Sequence, residues 1–181
     1  MNAPRTKEER LAGTDPNLST KDRLRLIHAR NSQEYKVNKF LKFRGVAEAV
    51  AAMSKDPSTK VGAVALDDNF NIISTGYNGF PRGVGDDSAR YADREMKYKL
   101  VSHAEQNVVA QAAYSGRSLR GTTVLVTALF PCSSCAKSLI QAGVIRVISP
   151  PPSTEPRWVE EAYYAGLMFA EAGVEVIHYE K

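Results

Sequence analysis

Three side chains of this sequence can hold a metal: His103, Cys132 and Cys135. They lie in two short stretches, Ser102-His103-Ala104-Glu105 and Phe130-Pro131-Cys132-Ser133-Ser134-Cys135. One imidazole and two thiolates suit zinc, and three protein ligands leave the fourth tetrahedral position open to water, as a catalytic site requires. A structural site fills all four positions, and the chain has only 2 cysteines. Glu105, two residues beyond the histidine, adds a carboxylate that can carry protons beside such a water. Two plainer readings compete. A Cys-x-x-Cys beside α/β patterning is also a redox pair, but that leaves His103 and Glu105 without a role. Glu105 is also an acid in a helix's first turn, which the helix dipole favours in any protein.

Those four residues need elements to position them. Periodicity and start signals place a helix over His103–Tyr114, so His103 and Glu105 fall in its first turn. A helix over Ser133–Ala142 puts Cys132 and Cys135 at its N-terminus. Two helix N-termini thus bring the ligands together, and their unpaired N–H groups favour thiolate and hydroxide. Before them, helices are expected over Lys21–Asn31, capped by Ser19 or Thr20, and over Tyr35–Met53. Strands are expected over Val61–Leu66 and Phe70–Thr75, joined as a hairpin by Asp67-Asp68-Asn69. A glycine-rich loop runs from Gly76 to Asp87, and Tyr91–Leu100 reads as a charged helix. Strands over Thr122–Thr127, Val144–Ser149 and Val174–Tyr179, with a helix over Arg157–Ala172, complete an α/β protein. It has five strands and helices on both faces. His28 reads as a surface or packing residue and His178 as a structural one.

At 181 residues the chain suits one domain. Residues 1–20 read as a flexible arm and 21–181 as a single domain with its core over about 39–179. The hydrophobic share is 43% and the charged share 24%, ordinary for a soluble protein. No apolar run approaches the ~18 residues of a membrane span, and Met1–Arg10 lacks a signal-peptide core. A cytoplasmic location is expected, and a reducing compartment also suits thiolate ligands. Net charge is +4, concentrated in residues 1–44, which hold 11 Lys/Arg against 5 Asp/Glu. That segment is either a solvated helix surface or a contact for phosphate or an acidic partner.

H-x-E followed by P-C-x-x-C is the signature of zinc nucleobase deaminases. Over about Lys39–Tyr179 the sequence resembles the zinc-dependent cytidine deaminase superfamily, and within it the deoxycytidylate (dCMP) deaminases. Ser54-Lys55-Asp56-Pro57-Ser58-Thr59-Lys60-Val61-Gly62-Ala63, Gly76-Tyr77-Asn78-Gly79-Phe80-Pro81-Arg82-Gly83 and His103-Ala104-Glu105-Gln106-Asn107 carry that resemblance, with the Cys132–Cys135 stretch. The glycine-rich run points to the dCMP branch. The resemblance implies a three-layer α/β/α sandwich around a five-stranded mixed sheet. It also implies hydrolysis of dCMP to dUMP and ammonia, one catalytic Zn²⁺ per subunit, and Glu105 as base and then acid. By similarity, Asn78 contacts the sugar hydroxyl, the Ala104 N–H holds the base edge, and Phe130 or Leu129 packs on the ring. Lys60, or Arg82 in its place, meets the phosphate. A regulatory nucleotide, dCTP activating with Mg²⁺ or dTTP inhibiting, would touch Gly76, Asn78, Arg82, Asp86, Asp87 and Tyr114. Relatives are often hexameric. Two departures stand out: Tyr114 where many relatives carry Arg, and Ser149-Pro150-Pro151-Pro152 where many carry an aromatic.

Other readings keep the chemistry and change the substrate: a 5-substituted dCMP, deoxycytidine, or a base in tRNA. Nucleic acid has only the basic N-terminal segment in its favour, and would bind with steep salt dependence. A zinc-stabilised module that merely binds nucleotides has no use for Glu105.

Overall fold

The computed structural model describes residues 19–180, and the side chains of all of these except residues 23–33. Most of the arm expected over residues 1–20, and the side chain of His28, lie outside the described residues. Twelve elements follow among the described residues. They are α1 Thr20–Leu41, α2 Arg44–Ala51, β1 Gly62–Leu66, β2 Ile72–Tyr77, α3 Ser88–Ala92, α4 Arg94–Leu100, α5 Ala104–Tyr114, β3 Thr123–Val126, α6 Ser133–Gln141, β4 Arg146–Ser149, α7 Pro156–Glu171 and β5 Glu175–His178. The strands form one sheet in the order β2-β1-β3-β4-β5. β1 pairs antiparallel with both β2 and β3, whereas β3–β4 and β4–β5 are parallel. This is the five-stranded mixed sheet expected from the sequence.

Strand side chains alternate between two cores, as a period of two demands. Val64, Leu66, Leu125, Ile148 and Ile177 face one side with Phe40 and Ala47 of α1 and α2. Ala63, Ala65, Val124, Val126 and Val147 face the other, under Val108 of α5, Leu139 of α6 and Phe169 of α7. Both faces are covered, so β1 and β3 are buried along their whole length. The result is a three-layer α/β/α sandwich.

Three boundaries differ from the sequence reading. The two helices expected over 21–31 and 35–53 are divided elsewhere. α1 runs through 31–35, where no glycine or proline stops it, and the break falls at Lys42–Phe43. There the chain turns so that both Phe40 and Ala47 reach the same sheet face. Ser19 does cap α1, its hydroxyl accepting from the Asp22 N–H at 3.2 Å. The charged run 91–100 is two short helices, because Asp93 leaves helical geometry and its carboxylate accepts from the Met96 N–H at 3.0 Å. Aspartate is a better N-cap than helix-interior residue. Phe70 belongs to the hairpin turn with φ 67°. The Asp67 carboxylate accepts from the N–H groups of Asn69 and Asn71 there, at 2.9 and 2.8 Å. β2 extends through Gly76 and Tyr77, which pair with Ala63 and Gly62 of β1 and were expected in the loop.

Candidate active site

The site grows from the contact between β2 and α5. Gly76 lets the strand touch the helix backbone: a Cβ there would lie 2.5 Å from the Ala104 carbonyl oxygen and 2.5 Å from the Val108 nitrogen. Two hydrogen bonds fasten the contact. The Ser74 hydroxyl donates to the Val108 carbonyl at 2.8 Å, and the Asn107 amide donates to the Tyr77 carbonyl at 2.7 Å. Just before α5, Gly79 and Ser102 exchange backbone hydrogen bonds of 3.1 and 2.9 Å. That bridge fixes the approach to His103, the N-cap of α5. The His103 N–H donates to Gln106 Oε1 at 3.0 Å, one half of a capping box.

The second arm of the site leaves β3. Ala128 takes a left-handed φ of 62°, a conformation L-residues other than Gly, Asn and Asp seldom adopt, and turns the chain into Leu129-Phe130-Pro131. Cys132 is the N-cap of α6 and Cys135 lies in its first turn. The sulfurs of Cys132 and Cys135 lie 3.5 and 3.4 Å from His103 Nδ1. All three ligand atoms fall within 4.8 Å of one another, close enough to share one ion. Glu105 is buried beside them, with 5% of its surface exposed.

The electrostatics fit a metal. Hydrogen bonding from the Cys135 thiol pulls Cys132 down to about 4, against the push of burial and with help from His103. Cys135, sharing its hydrogen with Cys132 and itself buried, is pushed far up. His103 is raised by its hydrogen bond to Cys132, which outweighs burial. Burial pushes Glu105 up, more than His103 pulls it down. Three soft or borderline donors converging at this spacing match zinc's preference for N and S ligands.

His103, Ala104, Glu105 and Cys132 open onto a cavity of about 400 Å³, within the range of small-molecule sites. Another part of its lining is polar. Asn78, Asp56, Ser58 and Thr59 form it with Lys97. Asn78 also holds that part together: its Oδ1 accepts from the Val61 N–H at 2.8 Å, and its Nδ2 donates to the Thr59 carbonyl at 2.9 Å and to Asp56 Oδ2 at 3.2 Å. Asp56 and Lys97 form a buried ion pair at 2.7 Å. Phe130 and Leu129 line the cavity as well, and the Phe130 ring packs edge-on against Phe169 at 6.3 Å.

The cations picked from the sequence lie elsewhere. Lys60 reaches back to the Ala52 carbonyl at 3.4 Å, and Arg82 stacks 4.0 Å over the Tyr114 ring while donating to Gln111 Oε1 at 3.1 Å. Neither lines the cavity, which instead receives Arg94, Lys97 and Arg157. The reason is geometric. Lys60 precedes a strand whose neighbours are turned to the cavity, and its own side chain points back to α2. The remaining loop residues serve local structure. Gly76 is a strand packing position, Asp86 pairs with Lys55 at 3.1 Å, and Asp87 caps α3. Tyr114 is 76% exposed. Trp158, Arg157 and Glu161 of α7 line the cavity unannounced. Their spacing on one helix face was the only signal, and nothing in the sequence aimed that face at the metal trio.

A His/Cys/Cys trio with a buried carboxylate, on helix N-termini above a mixed sheet, defines a zinc-dependent hydrolase of the deaminase class. Residues 38–149 match the family model described as the cytidine and deoxycytidylate deaminase zinc-binding region. The chain belongs to that family, as its motifs led us to expect. It is 43% identical over 137 residues to an uncharacterized deaminase of Aliivibrio fischeri, covering 75% of this chain and 89% of that protein. It is 40% identical over 137 residues to mouse deoxycytidylate deaminase, covering 73% and 74%. Its fold superposes on the crystal structure of the cyanophage S-TIM5 dCMP deaminase in complex with dCMP and dUMP. The TM-score there is 0.62 and identity 25%, over 78% of this chain and 97% of that one.

Proposed function

We propose that this enzyme hydrolyses dCMP to dUMP and ammonia, the reaction that feeds dTMP synthesis. The observation that carries the reading is the buried Glu105 beside the convergent His103, Cys132 and Cys135 at one end of a nucleotide-sized cavity. The dCMP deaminase relatives support the choice of substrate.

His103, Cys132 and Cys135 hold the zinc. When bound, zinc would supply a Lewis acid that lowers the pKa of water to about 7. Glu105 takes the proton of the attacking water and delivers it to cytosine N3. It then takes the remaining proton from the C4 hydroxyl and passes it to the amine, which leaves as ammonia, so that a C4=O bond replaces the C4–N bond. The Ala104 N–H, at a helix start where backbone donors lack intrahelical partners, meets the base edge. Leu129 and Phe130 pack on the ring, and Asn78 meets the sugar. Arg94 and Arg157, the cavity cations not committed to Asp56, receive the 5′-phosphate in place of Lys60 and Arg82. An assay of dCMP, CMP, deoxycytidine, 5-methyl-dCMP and tRNA tests the reading. Rapid ammonia release confined to deoxycytidine monophosphates supports it, and turnover of tRNA alone overturns it.

Regulation and assembly belong to the same proposal. Self-association is supported by the exposed Val159, Tyr163 and Leu167, which repeat every four residues along α7 as an interface stripe would, and a homo-hexamer rests on the resemblance. Activation by dCTP with Mg²⁺ and inhibition by dTTP rest on the resemblance of the Gly76–Asp87 run. Sedimentation, and rates with and without each nucleotide, test them. No helix among the described residues is long and apolar enough to cross a membrane, which is compatible with a cytoplasmic enzyme.

A further inference from the structure

Glu161 is a carboxylate on α7 that reaches across to a different helix. Its Oε2 accepts from the backbone N–H of Ser133 at 3.0 Å. Ser133 is the first residue of α6, next to Cys132, and its N–H is one of the donors a helix leaves unpaired. Contact with Ser133 holds the Glu161 carboxyl below its ordinary range. A negative group at a helix N-terminus is also favoured by the helix dipole. Glu161 is not a member of the metal trio.

The same residue faces the cavity. Arg157 and Trp158 lie one turn earlier on α7, at the i−4 and i−3 positions that share its face, and all three line the cavity with Cys132. The other end of α7 is anchored by Ala165 and Phe169, both fully buried. One rigid helix therefore carries cavity-facing side chains and also grips the turn that supplies the thiolates.

We propose that Glu161 is a positioning residue, locking the Cys132–Cys135 turn to α7 so that the thiolate pair keeps its geometry while the cavity fills. The inference rests on the trio holding zinc, a point measured separately below. Groups that orient metal ligands from outside the coordination sphere typically matter about 10–100-fold in metal affinity. A hydrogen bond to the neighbouring peptide belongs at the low end.

The test follows zinc release from the full-length enzyme into a chromogenic chelator, alongside kcat and KM for dCMP. Four variants are compared with the wild type: Glu161→Ala, Glu161→Gln, Ser133→Pro and, as a control, the neighbouring Glu160→Ala. Proline is well tolerated at the first helical position but lacks the N–H, and Cys132 already has the extended backbone that precedes proline (ψ 172°). Ser133→Pro therefore deletes the donor without deleting Glu161. Expected are zinc release roughly tenfold faster in Glu161→Ala and Ser133→Pro, with lowered kcat, and near-wild-type release in Glu161→Gln, whose amide oxygen still accepts. Glu160→Ala should match the wild type. Wild-type zinc release in Glu161→Ala, or Glu161→Gln behaving like Glu161→Ala, overturns the proposal. A wild-type protein that carries no zinc overturns this inference and the metal reading together. A protein that carries zinc but leaves dCMP unchanged overturns only the substrate reading, because release is measured without substrate.

Discussion

Gly76 on β2 lies against Ala104 on α5 so closely that a methyl group on the glycine would stand 2.5 Å from the Ala104 carbonyl oxygen. Ala104 sits between His103 and Glu105, so this contact sets the depth at which the imidazole and the carboxylate enter the site. Backbone cannot yield as a flexible side chain does. Gly76→Ala should therefore cost about 1–3 kcal/mol, read by urea denaturation, and lower the zinc content as α5 is pushed outward. Gly166 is the contrast. It lies within α7 with nothing near its absent Cβ, so Gly166→Ala should stabilise by roughly 0.5–1 kcal/mol.

Glu105→Gln keeps the shape of the buried side chain and removes its basicity. Turnover should fall by about 10²–10⁴-fold, the usual worth of a positioned acid–base group, while zinc content stays at that of the wild type. Wild-type turnover in this variant would remove Glu105 from the mechanism.

Removing zinc with a chelator should abolish turnover and lower the denaturation midpoint, because a ligand that binds only the folded state stabilises it. At a free concentration 100 times its dissociation constant the gain is about 2.7 kcal/mol. Adding zinc back should restore both properties. Cys135→Ala should lose both and regain neither.

The Asp56–Lys97 pair predicts a pH dependence. Burial pushes the Asp56 carboxyl up, but the hydrogen bond from Lys97 and the N–H groups of Ser58 and Thr59 more than offset it, and its pKa lies below the ordinary value. A depressed carboxylate contributes stability that is present above its unfolded pKa of about 3.9. That contribution is lost as pH falls through the folded value. Stability should thus drop below about pH 4, and part of the drop should be missing in Asp56→Asn. Lys97→Met leaves Asp56 buried without its partner and should cost about 3–5 kcal/mol near neutral pH, measured by thermal or urea unfolding.

Much of the fold was legible because its signals are local. Alternating and continuous apolar runs marked the five strands, and Ser19, Gly116, Gly143 and Gly173 lie at or just beyond element ends. The boundaries that moved depended on competition between distant parts. The break at Lys42–Phe43 serves a sheet face built from β1, β3, β4 and β5. Phe70 left its strand because Asp67 captured two N–H groups in the turn.

The sequence by itself determined the chemistry. A His, two Cys and a Glu at helix starts specify a metal, an open position and a proton carrier, since those properties belong to residue types and short spacings. The tertiary structure alone decided what surrounds them. Whether a cation faces the cavity, as Arg94 and Arg157 do, or turns away, as Lys60 and Arg82 do, depends on where α4, tied through Lys97 to Asp56, and α7, packed on α6, come to dock. The same packing brings Glu161, 28 residues beyond Ser133, into hydrogen-bond contact with its N–H. Such contacts join residues far apart in the chain, and a side chain's direction is fixed only once the helix that carries it has docked.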